Sequence, residues 1–404
     1  MNKVDTSPQK INDFLERGVV ETITRESVAK KLASGKVLRV KHGVDPSGSE
    51  LHLGHASVYL KLRDLQEMGH KIIFLVGGFT GRFGDPTEKL ETRTLKSKHD
   101  AEENAKNYID QISKLLDVKS IEVATNSDWY DKMSAEEFIK LLTHFTVDQV
   151  LERDMFRERK KQNLPIQLHE TVYPILQGYD SVMLKSDLTV VGTDQIFNES
   201  FGRDLQKKFG QEPQDIVAIK ILSGLDGIRK MSKSLKNFIA LNDSPQDQFG
   251  KVMSLPDRLI IDYFILATRV ALPKIKEMEL ALQDKSVNPM ELKLKLAKEI
   301  VSLYHSGEKA LEAEEYFTKT FSKKEMPVDI PLIKVPENKM KWLNVVIKSG
   351  LANSKSEARR LIESGATDSD GVSILSPDQM VDLEKGITVR VGKHRFVKIK
   401  TARE

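Results

Sequence analysis

Short apolar runs alternate with helical segments over the first half of the chain. Residues 37–40 and 71–76 have the length of strands, and 71–76 is almost continuously apolar, which is typical of a fully buried parallel strand. Between them, apolar side chains recur at the helical spacing and end at a typical helix stop. These positions are Val58, Leu62, Leu65 and Met68, followed by Gly69. Strand, helix and strand in succession predict a parallel sheet with right-handed crossovers.

The same reasoning extends to the middle of the chain. Residues 11–33 and 134–162 are predicted to be helical. Further predicted elements are a helix at 105–115, strands at 121–123 and 188–191, and a Lys/Glu-rich helical region at 244–321. The dense charges at 152–161 normally indicate a solvated helix face. Here apolar residues are interspersed with them, and this mixture suits a subunit contact. They are Phe145, Val147, Val150, Leu151 and Phe156.

The C-terminal part of the chain is predicted to be a small separate α/β module. Pro327, Pro331 and Pro336 interrupt the preceding segment, which predicts a linker. Residues 354–357 match a helix-start capping box, and Gly365 is the matching stop. Two strands are then predicted, because residues 387–391 and 395–400 alternate apolar and basic side chains around Gly392.

Composition narrows the class of protein. The 404 residues favour two or three domains, and 39% hydrophobic with 30% charged residues describes a soluble globular chain. A net charge of +4 means that affinity for nucleic acid would come from local patches. There is no cysteine, which excludes disulfides, thiolate nucleophiles and cysteine zinc sites and fits a reducing cytoplasm. Neither a signal peptide nor an apolar run of roughly 18 residues is present, so no membrane association is expected.

Glycine-rich exits follow the first two buried strands, at residues 43–55 and 77–86. Because ligands of open α/β sheets bind outside the carboxyl ends of strands, two neighbouring exits predict a single crevice. In the first exit, His52 and His55 lie about one turn apart at a helix start, where backbone N–H groups favour a phosphate. Gly54 between them leaves room for a nucleotide ring. The crevice is therefore predicted to bind a nucleoside triphosphate.

A second basic motif lies far downstream, at residues 230–234 (KMSKS). Together with residues 52–55 (HLGH), it matches the two signatures of class I aminoacyl-tRNA synthetases, except that Leu53 replaces isoleucine. A lone H-x-G-H is weak evidence, whereas the combination is specific. On these residues the chain resembles the class I synthetases, and the resemblance implies a Rossmann-like α/β catalytic domain with a parallel sheet.

The resemblance also implies a reaction. In this class the carboxylate of an amino acid attacks the α-phosphorus of ATP, and Mg2+ assists at the departing pyrophosphate. The nucleophile is already an anion, so the reaction needs positioning and charge stabilisation rather than a general base. The catalytic residues implied are His52, His55, Lys230, Lys233, Lys89 and Arg93. Lys89 and Arg93 fall where the family has mobile basic residues that reach the pyrophosphate. ATP with Mg2+ is thus the expected substrate complex, without a protein-bound metal.

A third motif bears on the amino acid. Tyr173, Gln177 and Asp180 are spaced i, i+4 and i+7 and so share one helix face, which suits a polar ligand better than a core. The segment resembles the substrate helix of tyrosyl-tRNA synthetases. By that resemblance Tyr173 and Gln177 hold the α-amino group of L-tyrosine, and Asp180 receives its phenol hydroxyl. Phenylalanine would leave such a carboxylate unpaired, which is the basis of selectivity described for this family.

Other residues fall on matched positions of the family. Asp85 matches an amino-group ligand, while Asp194 and Gln195 match residues that bind the ribose and the tyrosine or its adenylate. The implied ATP-binding residues are Asp45, His52, Gly54, His55, Gly192, Asp194, Lys230, Met231 and Lys233. The implied tyrosine-binding residues are Lys41, Thr80, Asp85, Tyr173, Gln177, Asp180 and Gln195. Lys41 stands where one branch of the family has a substrate-contacting tyrosine, so the resemblance is to the branch without it.

The resemblance covers nearly the whole chain and implies its organisation. The expected parts are a catalytic domain at 1–236 with a dimer-contact insertion near 125–170 and a mobile lysine loop at 225–236, a helical anticodon-binding domain at 237–325, a linker at 326–339, and an S-four-like RNA-binding domain at 340–404. In the last part, Lys355, Arg359 and Arg360 can line a helix face toward phosphates. The implied partners are tRNA-Tyr, L-tyrosine, ATP and a second copy of the chain.

Three alternatives share parts of this pattern. A tryptophan–tRNA ligase has the same fold but gives no reason for the position of Asp180. A catalytically silent RNA-binding paralogue would not need His52, Lys233 or Asp85. A nucleotidyltransferase with the same H-x-G-H signature, acting on a small metabolite, would leave the helical and C-terminal regions unexplained.

Overall fold

The computed structural model describes residues 4–45, 50–85, 98–322, 330–352, 354–392 and 395–402. The chain forms two compact units, Met1–Leu311 and Glu312–Glu404. Most of the helical region predicted at 237–325 belongs to the first unit, and the finer division into domains stays a prediction. Within the described ranges, no helix is long and apolar enough to cross a membrane.

A six-stranded sheet is the centre of the first unit. Its strands are β1 (Val19–Ile23), β2 (Arg39–Val44), β3 (Lys71–Val76), β4 (Glu122–Thr125), β5 (Leu188–Gly192) and β6 (Asp215–Ile219). The order across the sheet is β1-β6-β5-β2-β3-β4. All neighbours are parallel except β1, which pairs antiparallel with β6 at one edge. The predicted parallel α/β sheet is therefore confirmed, and the strand order reverses between β5 and β2.

Helices surround this sheet and continue beyond it. They are α1 (Pro8–Glu16), α2 (Arg25–Ala33), α3 (Leu53–Glu67), α4 (Thr80–Phe83), α5 (Lys98–Ile112), α6 (Ser127–Tyr130), α7 (Ala135–Leu142), α8 (Val147–Leu151), α9 (Asp154–Lys161), α10 (Leu168–Leu184), α11 (Ile196–Lys208), α12 (Pro245–Met253), α13 (Ile260–Ala267), α14 (Leu272–Gln283), α15 (Pro289–Tyr304) and α16 (Gly307–Phe317). The predicted apolar face of α3 is buried, as is nearly all of β3.

One predicted helical segment is wrong in part, and a second is confirmed but divided into several helices. Residues 11–33 contain β1 between two helices, because Gly18 turns the chain at φ +63° and the β-branched run after it pairs with β6. Strand β6 itself has no counterpart among the predicted elements. Residues 134–162 are helical as predicted, in three short helices. Two of them begin at their own capping boxes, at Ser134 and Thr146.

The second unit is a small α/β fold. It contains β7 (Leu332–Val335), β8 (Lys339–Lys341), α17 (Trp342–Lys348), α18 (Lys355–Glu363), β9 (Thr367–Ser369), β10 (Val372–Ser373), β11 (Met380–Asp382), β12 (Ile387–Val391) and β13 (Arg395–Thr401). Five strands pair in the order β10-β9-β12-β13-β7 around a core that includes the fully buried Trp342. The two C-terminal strands are confirmed. Strand β7 lies inside the segment predicted as a linker, because Pro331 and Pro336 flank it without interrupting its pairing with β13.

Helices α10 and α11 pack so closely at Gly178 that no side chain fits there. A Cβ atom on Gly178 would lie 2.9 Å from the backbone of both Phe201 and Gly202. Backbone atoms cannot move aside as a flexible side chain can, so this approach requires glycine. The contact sets the position of the helix that carries Tyr173, Gln177 and Asp180.

We expect Gly178→Ala to lower the free energy of unfolding by about 1–3 kcal/mol, because the added methyl group overpacks the α10–α11 contact. Gly250→Ala in α12 is a matched control, since a Cβ there meets nothing within 4 Å. Improved helix propensity should make that variant about 0.5–1 kcal/mol more stable. Urea unfolding of both variants measures the contrast, and equal effects would contradict the packing argument.

Candidate active site

One cavity of about 690 Å3 opens at the carboxyl edge of the first sheet. It lies where the strand order reverses, which is where open α/β sheets bind ligands. Its lining includes the predicted residues Lys41, Asp45, His52, Gly54, His55, Thr80, Asp85, Tyr173, Gln177, Asp180, Gly192, Asp194, Gln195, Lys230, Met231 and Lys233. The structure therefore brings these residues together. Lys89 and Arg93 lie outside the described residues, and Lys355, Arg359 and Arg360 belong to the second unit.

The two histidines are joined at the start of α3. His52 is the N-cap residue, its backbone N–H donates to His55 Nδ1 at 3.2 Å, and the two ring centroids are 3.9 Å apart. Burial, reinforced by the nearby charges of Lys233 and Lys230, lowers the pKa of His52 to about 3. Its imidazole is therefore neutral at physiological pH. Among the described residues, His52 Nδ1 has no hydrogen-bond partner, so this buried ring can bind a ligand.

The lysine loop lies against the same helix start. The backbone N–H of Gly54 donates to Met231 Sδ at 3.3 Å, and Lys230 Nζ lies 3.5 Å from Asp194 Oδ2. Asn237 ties the loop together: its Nδ2 donates to the Lys230 carbonyl at 3.1 Å, and its Oδ1 accepts from the Ser232 backbone at 2.9 Å. Two lysine ammonium groups and two imidazoles are thus concentrated at one end of the cavity, an arrangement that can stabilise phosphate charge.

The opposite end of the cavity is built around Asp180 on α10. Trp129 Nε1 donates to its Oδ1 at 3.0 Å, and Asn126 Nδ2 donates to its Oδ2 at 3.3 Å. Asp180 is 3% exposed, and burial raises its pKa to about 7 although Lys41 and these hydrogen bonds act in the opposite direction. Each carboxylate oxygen keeps acceptor capacity beyond one N–H partner, so the group can receive a ligand hydroxyl.

A second acidic group lies between the two ends. Tyr173 donates its hydroxyl to Asp45 Oδ2 at 2.8 Å, and Gln195 Nε2 donates to Asp85 Oδ2 at 2.8 Å. The side chain of Arg153, 4% exposed, approaches Asp85 Oδ1 at 3.1 Å from the N-cap position of α9. Two carboxylates with phenol and amide neighbours can bind an ammonium group.

Three comparisons with known proteins bear on this site. The family model described as tRNA synthetases class I (W and Y) matches residues 5–322. A tyrosine–tRNA ligase of Moorella thermoacetica is 44% identical over 96% of this chain and 95% of its own length. One of Thermotoga maritima is 42% identical over 97% and 98%.

The chain belongs to the tyrosine–tRNA ligase family of class I synthetases. At the level of the fold, it is also similar to a tyrosyl-tRNA synthetase of Archaeoglobus fulgidus, solved in complex with L-tyrosine. That likeness has a TM-score of 0.61 at 24% identity and covers 76% of this chain and 99% of the other. It shows the shared fold alone.

Several residues of the site were not predicted from sequence. Asn126 and Trp129 follow the carboxyl end of β4, so the same argument from strand exits that located the crevice could have found them. Glu199 on α11 and Arg153 on the charged segment give no such signal, because each reaches the cavity only through tertiary packing. The predicted Lys41 does line the cavity, but its ammonium pairs with Glu199.

Metal binding has no visible basis in the part of the chain that the structure describes. No group of three or more His, Cys, Asp or Glu side chains there could hold an ion.

The raised pKa of Asp180 predicts a pH dependence of stability. An aspartate in an unfolded chain titrates near pH 4, whereas burial raises the pKa of Asp180 to about 7. The folded state binds this proton more tightly, so the contribution is fully present below about pH 4 and is lost as the pH rises through 7. Asp180→Asn cannot titrate. Relative to that variant, wild type should lose up to about 4 kcal/mol of unfolding free energy between pH 4 and pH 7.5.

Urea unfolding of both proteins at the two pH values measures this difference. The urea midpoints also report whether the variant is folded at both pH values. A difference between variant and wild type that stays constant with pH would contradict the titration of Asp180.

Proposed function

We propose that this chain is a tyrosine–tRNA ligase that activates L-tyrosine with ATP to tyrosyl-adenylate and then transfers tyrosine to the 3′ end of tRNA-Tyr. The observation that carries the proposal is Asp180, a buried carboxylate with two fixed N–H donors, at the end of a cavity also lined by His52 and Lys233. The family membership of the chain supports the same reading.

The Asp180 end of the cavity supports L-tyrosine as the amino acid. Trp129 and Asn126 hold the carboxylate in one orientation, and its remaining acceptor capacity matches a phenol O–H. Phenylalanine would leave this buried acceptor unpaired, which costs more than the loss of one exposed contact. Tryptophan offers no hydroxyl at that place.

The middle of the cavity supports binding of the α-amino group. Asp85 lies there and would attract the substrate ammonium. The other lining residues of this part are Tyr173, Gln177 and Gln195. Arg153 already contacts Asp85, so the ammonium would share this carboxylate with it. The carboxylate of the bound amino acid then extends toward the histidines and lysines.

The other end of the cavity supports the activation step. The tyrosine carboxylate attacks the α-phosphorus of ATP, the new C(O)O–P bond forms, and the bond to pyrophosphate breaks; no proton has to be removed. Neutral His52 together with His55 would donate hydrogen bonds to phosphate oxygens. Lys230 and Lys233 would balance the charge that passes to the leaving group. Mg2+ would arrive with ATP, and Lys89 and Arg93 stay proposed as additional pyrophosphate contacts.

Transfer to tRNA concerns the rest of the chain. We infer that the helical region at 237–325 reads the anticodon and that the module at 340–404 binds RNA. Three exposed basic side chains of α18 would contact phosphates. They are Lys355, Arg359 and Arg360. Since the acceptor is tRNA, we also infer a cytoplasmic location.

A homodimer through the insertion near 125–170 is part of the proposal. Within this segment Ile139, Val147 and Leu168 are 59%, 70% and 82% exposed. Large apolar side chains exposed beside charged helices are typical of a contact between copies of one chain. The lysine loop at 225–236 would move during the reaction, since it has to admit ATP and release pyrophosphate.

Amino-acid-dependent exchange of labelled pyrophosphate into ATP tests the function directly. We expect exchange with L-tyrosine and a much lower kcat/KM with phenylalanine, because phenylalanine leaves Asp180 unpaired; strong rejection of phenylalanine is already the known example for this family. Exchange with tryptophan alone would overturn the choice of substrate. No exchange with any of the three would instead support a silent RNA-binding protein.

Lys233→Ala should lower kcat of tyrosine-dependent exchange by about 10²–10³-fold with little change in tyrosine KM, because its ammonium acts on the phosphates in the transition state. Lys236→Ala is the matched control: this lysine is exposed at the end of the same loop and does not line the cavity. Its kcat should stay within about twofold of wild type. Equal losses of kcat in both variants would show that the loop contributes to folding rather than to catalysis.

A further inference from the structure

A buried ion pair lies in the wall of the cavity beside the proposed tyrosine site. Lys41 on β2 and Glu199 on α11 have side chains that are 1% and 2% exposed, and Lys41 Nζ is 2.8 Å from Glu199 Oε2. Lys41 also donates to Ser181 Oγ at 2.6 Å. Neither the sequence motifs nor the proposed chemistry assigns a role to Glu199.

Both oxygens of Glu199 are engaged. Its Oε2 accepts from Lys41 and from Gln214 Nε2, the latter at 2.8 Å, and its Oε1 accepts from Gln177 Nε2 at 2.8 Å. The other end of the Gln177 amide accepts from Asn198 Nδ2 at 2.8 Å. The orientation of the Gln177 amide is therefore determined by two neighbouring residues of α11.

Stability alone does not account for this pair. Removing two charges from water costs several kcal/mol per ion, and apolar replacements of buried ion pairs are often neutral or stabilising. The position of the pair is more informative. Ser181, which accepts from Lys41, follows Asp180 directly on α10, and Gln177 lies one turn before it. The charge of Lys41 acts on Asp180 and favours its ionised form.

We propose that Glu199 is a positioning residue for L-tyrosine, because it fixes the Lys41 ammonium beside the phenol end of the pocket and the Gln177 amide at the ammonium end. This inference rests on the proposed function and adds a specificity element to it. Glu199 does not touch the substrate. Its two oxygens each hold one polar group of the pocket, so both ends of the substrate are recognised by one rigid frame.

The groups facing Asp180 define what a pH profile reports. They are Lys41 from β2, Tyr130 with its neighbours Asn126 and Trp129 from the segment after β4, and Tyr173 from α10 itself. Burial raises the pKa of both tyrosines well above the ordinary value, so neither titrates between pH 6 and 9. The charges of Asp45 and Asp85 raise the pKa of Tyr173 further. A shift in the profile caused by a change at Lys41 or Glu199 therefore reports on Asp180.

The test uses the full chain in pyrophosphate exchange, with tyrosine and ATP varied separately from pH 6 to 9. We expect Glu199→Gln to raise tyrosine KM at least about tenfold. The new amide has one acceptor oxygen instead of two, so its N–H₂ group faces another donor and Gln177 Nε2 loses its acceptor. The KM for ATP should change less than about twofold. Glu212→Gln is the matched control, since Glu212 also pairs with a lysine, at 3.4 Å, but is 77% exposed.

The direction of the pH shift separates positioning from a merely structural role. Without Glu199 the charge of Lys41 acts on Asp180 alone, so the apparent pKa in tyrosine kcat/KM should fall. Lys41→Met should raise the same apparent pKa. The double variant Lys41→Met/Glu199→Gln removes both charges, so its apparent pKa should lie near the wild-type value. If a single variant fails to fold, the tyrosine KM of the double variant still tests the inference.

Two results would overturn the inference. One is a Glu199→Gln variant that keeps the wild-type tyrosine KM and pH profile, or a double variant that keeps the wild-type tyrosine KM. The other is an equal rise of KM for tyrosine and ATP. A wild-type protein with no tyrosine-dependent exchange would remove the proposed function and this inference together. An active wild type with unaffected variants would remove the inference alone.

Discussion

The reversal of strand order beside β2 is the constraint on which the site depends. Chain order runs from β2 outward to β4 on one side, and then β5 and β6 are laid down on the other side. Strands β2 and β5 are therefore adjacent but lead to strands on opposite sides of the sheet, which is the arrangement at which open α/β sheets form a ligand-binding crevice. The start of α3 and the side of α10 that carries Tyr173, Gln177 and Asp180 meet there, although more than a hundred residues of sequence separate them.

Within this crevice the charges are segregated. Two histidines and two lysines lie at one end, with Asp194 beside Lys230. The buried carboxyl groups of Asp180 and Glu199 lie at the other end, where Lys41 pairs with Glu199. Such an arrangement costs stability, since each buried charge has lost its water. It places fixed donors and acceptors before any ligand arrives, so little reorganisation is needed when a charged substrate binds.

Much of the fold was predictable where the apolar pattern of a segment matches its burial in the tertiary structure. β3 is apolar on both faces and is recognisable by composition, and the helix after β2 has a clear apolar period. β1 was not predictable in the same way. Its residues are only partly buried and its pairing with β6 is antiparallel and distant in sequence, so the segment resembles the helices on either side of it. Likewise β7 lies between two prolines and is stabilised by pairing with β13.

For the site, the sequence by itself determined which chemical groups were present and which motifs carried them, because HLGH, KMSKS and the spacing of Tyr173, Gln177 and Asp180 are local patterns. Tertiary structure decided which groups became neighbours. Lys41 was visible in the sequence, but its partner Glu199 and the Arg153–Asp85 pair came from packing between distant elements. Ion pairing depends on distance and burial, and neither quantity exists until α10, α11 and the sheet have closed around the cavity.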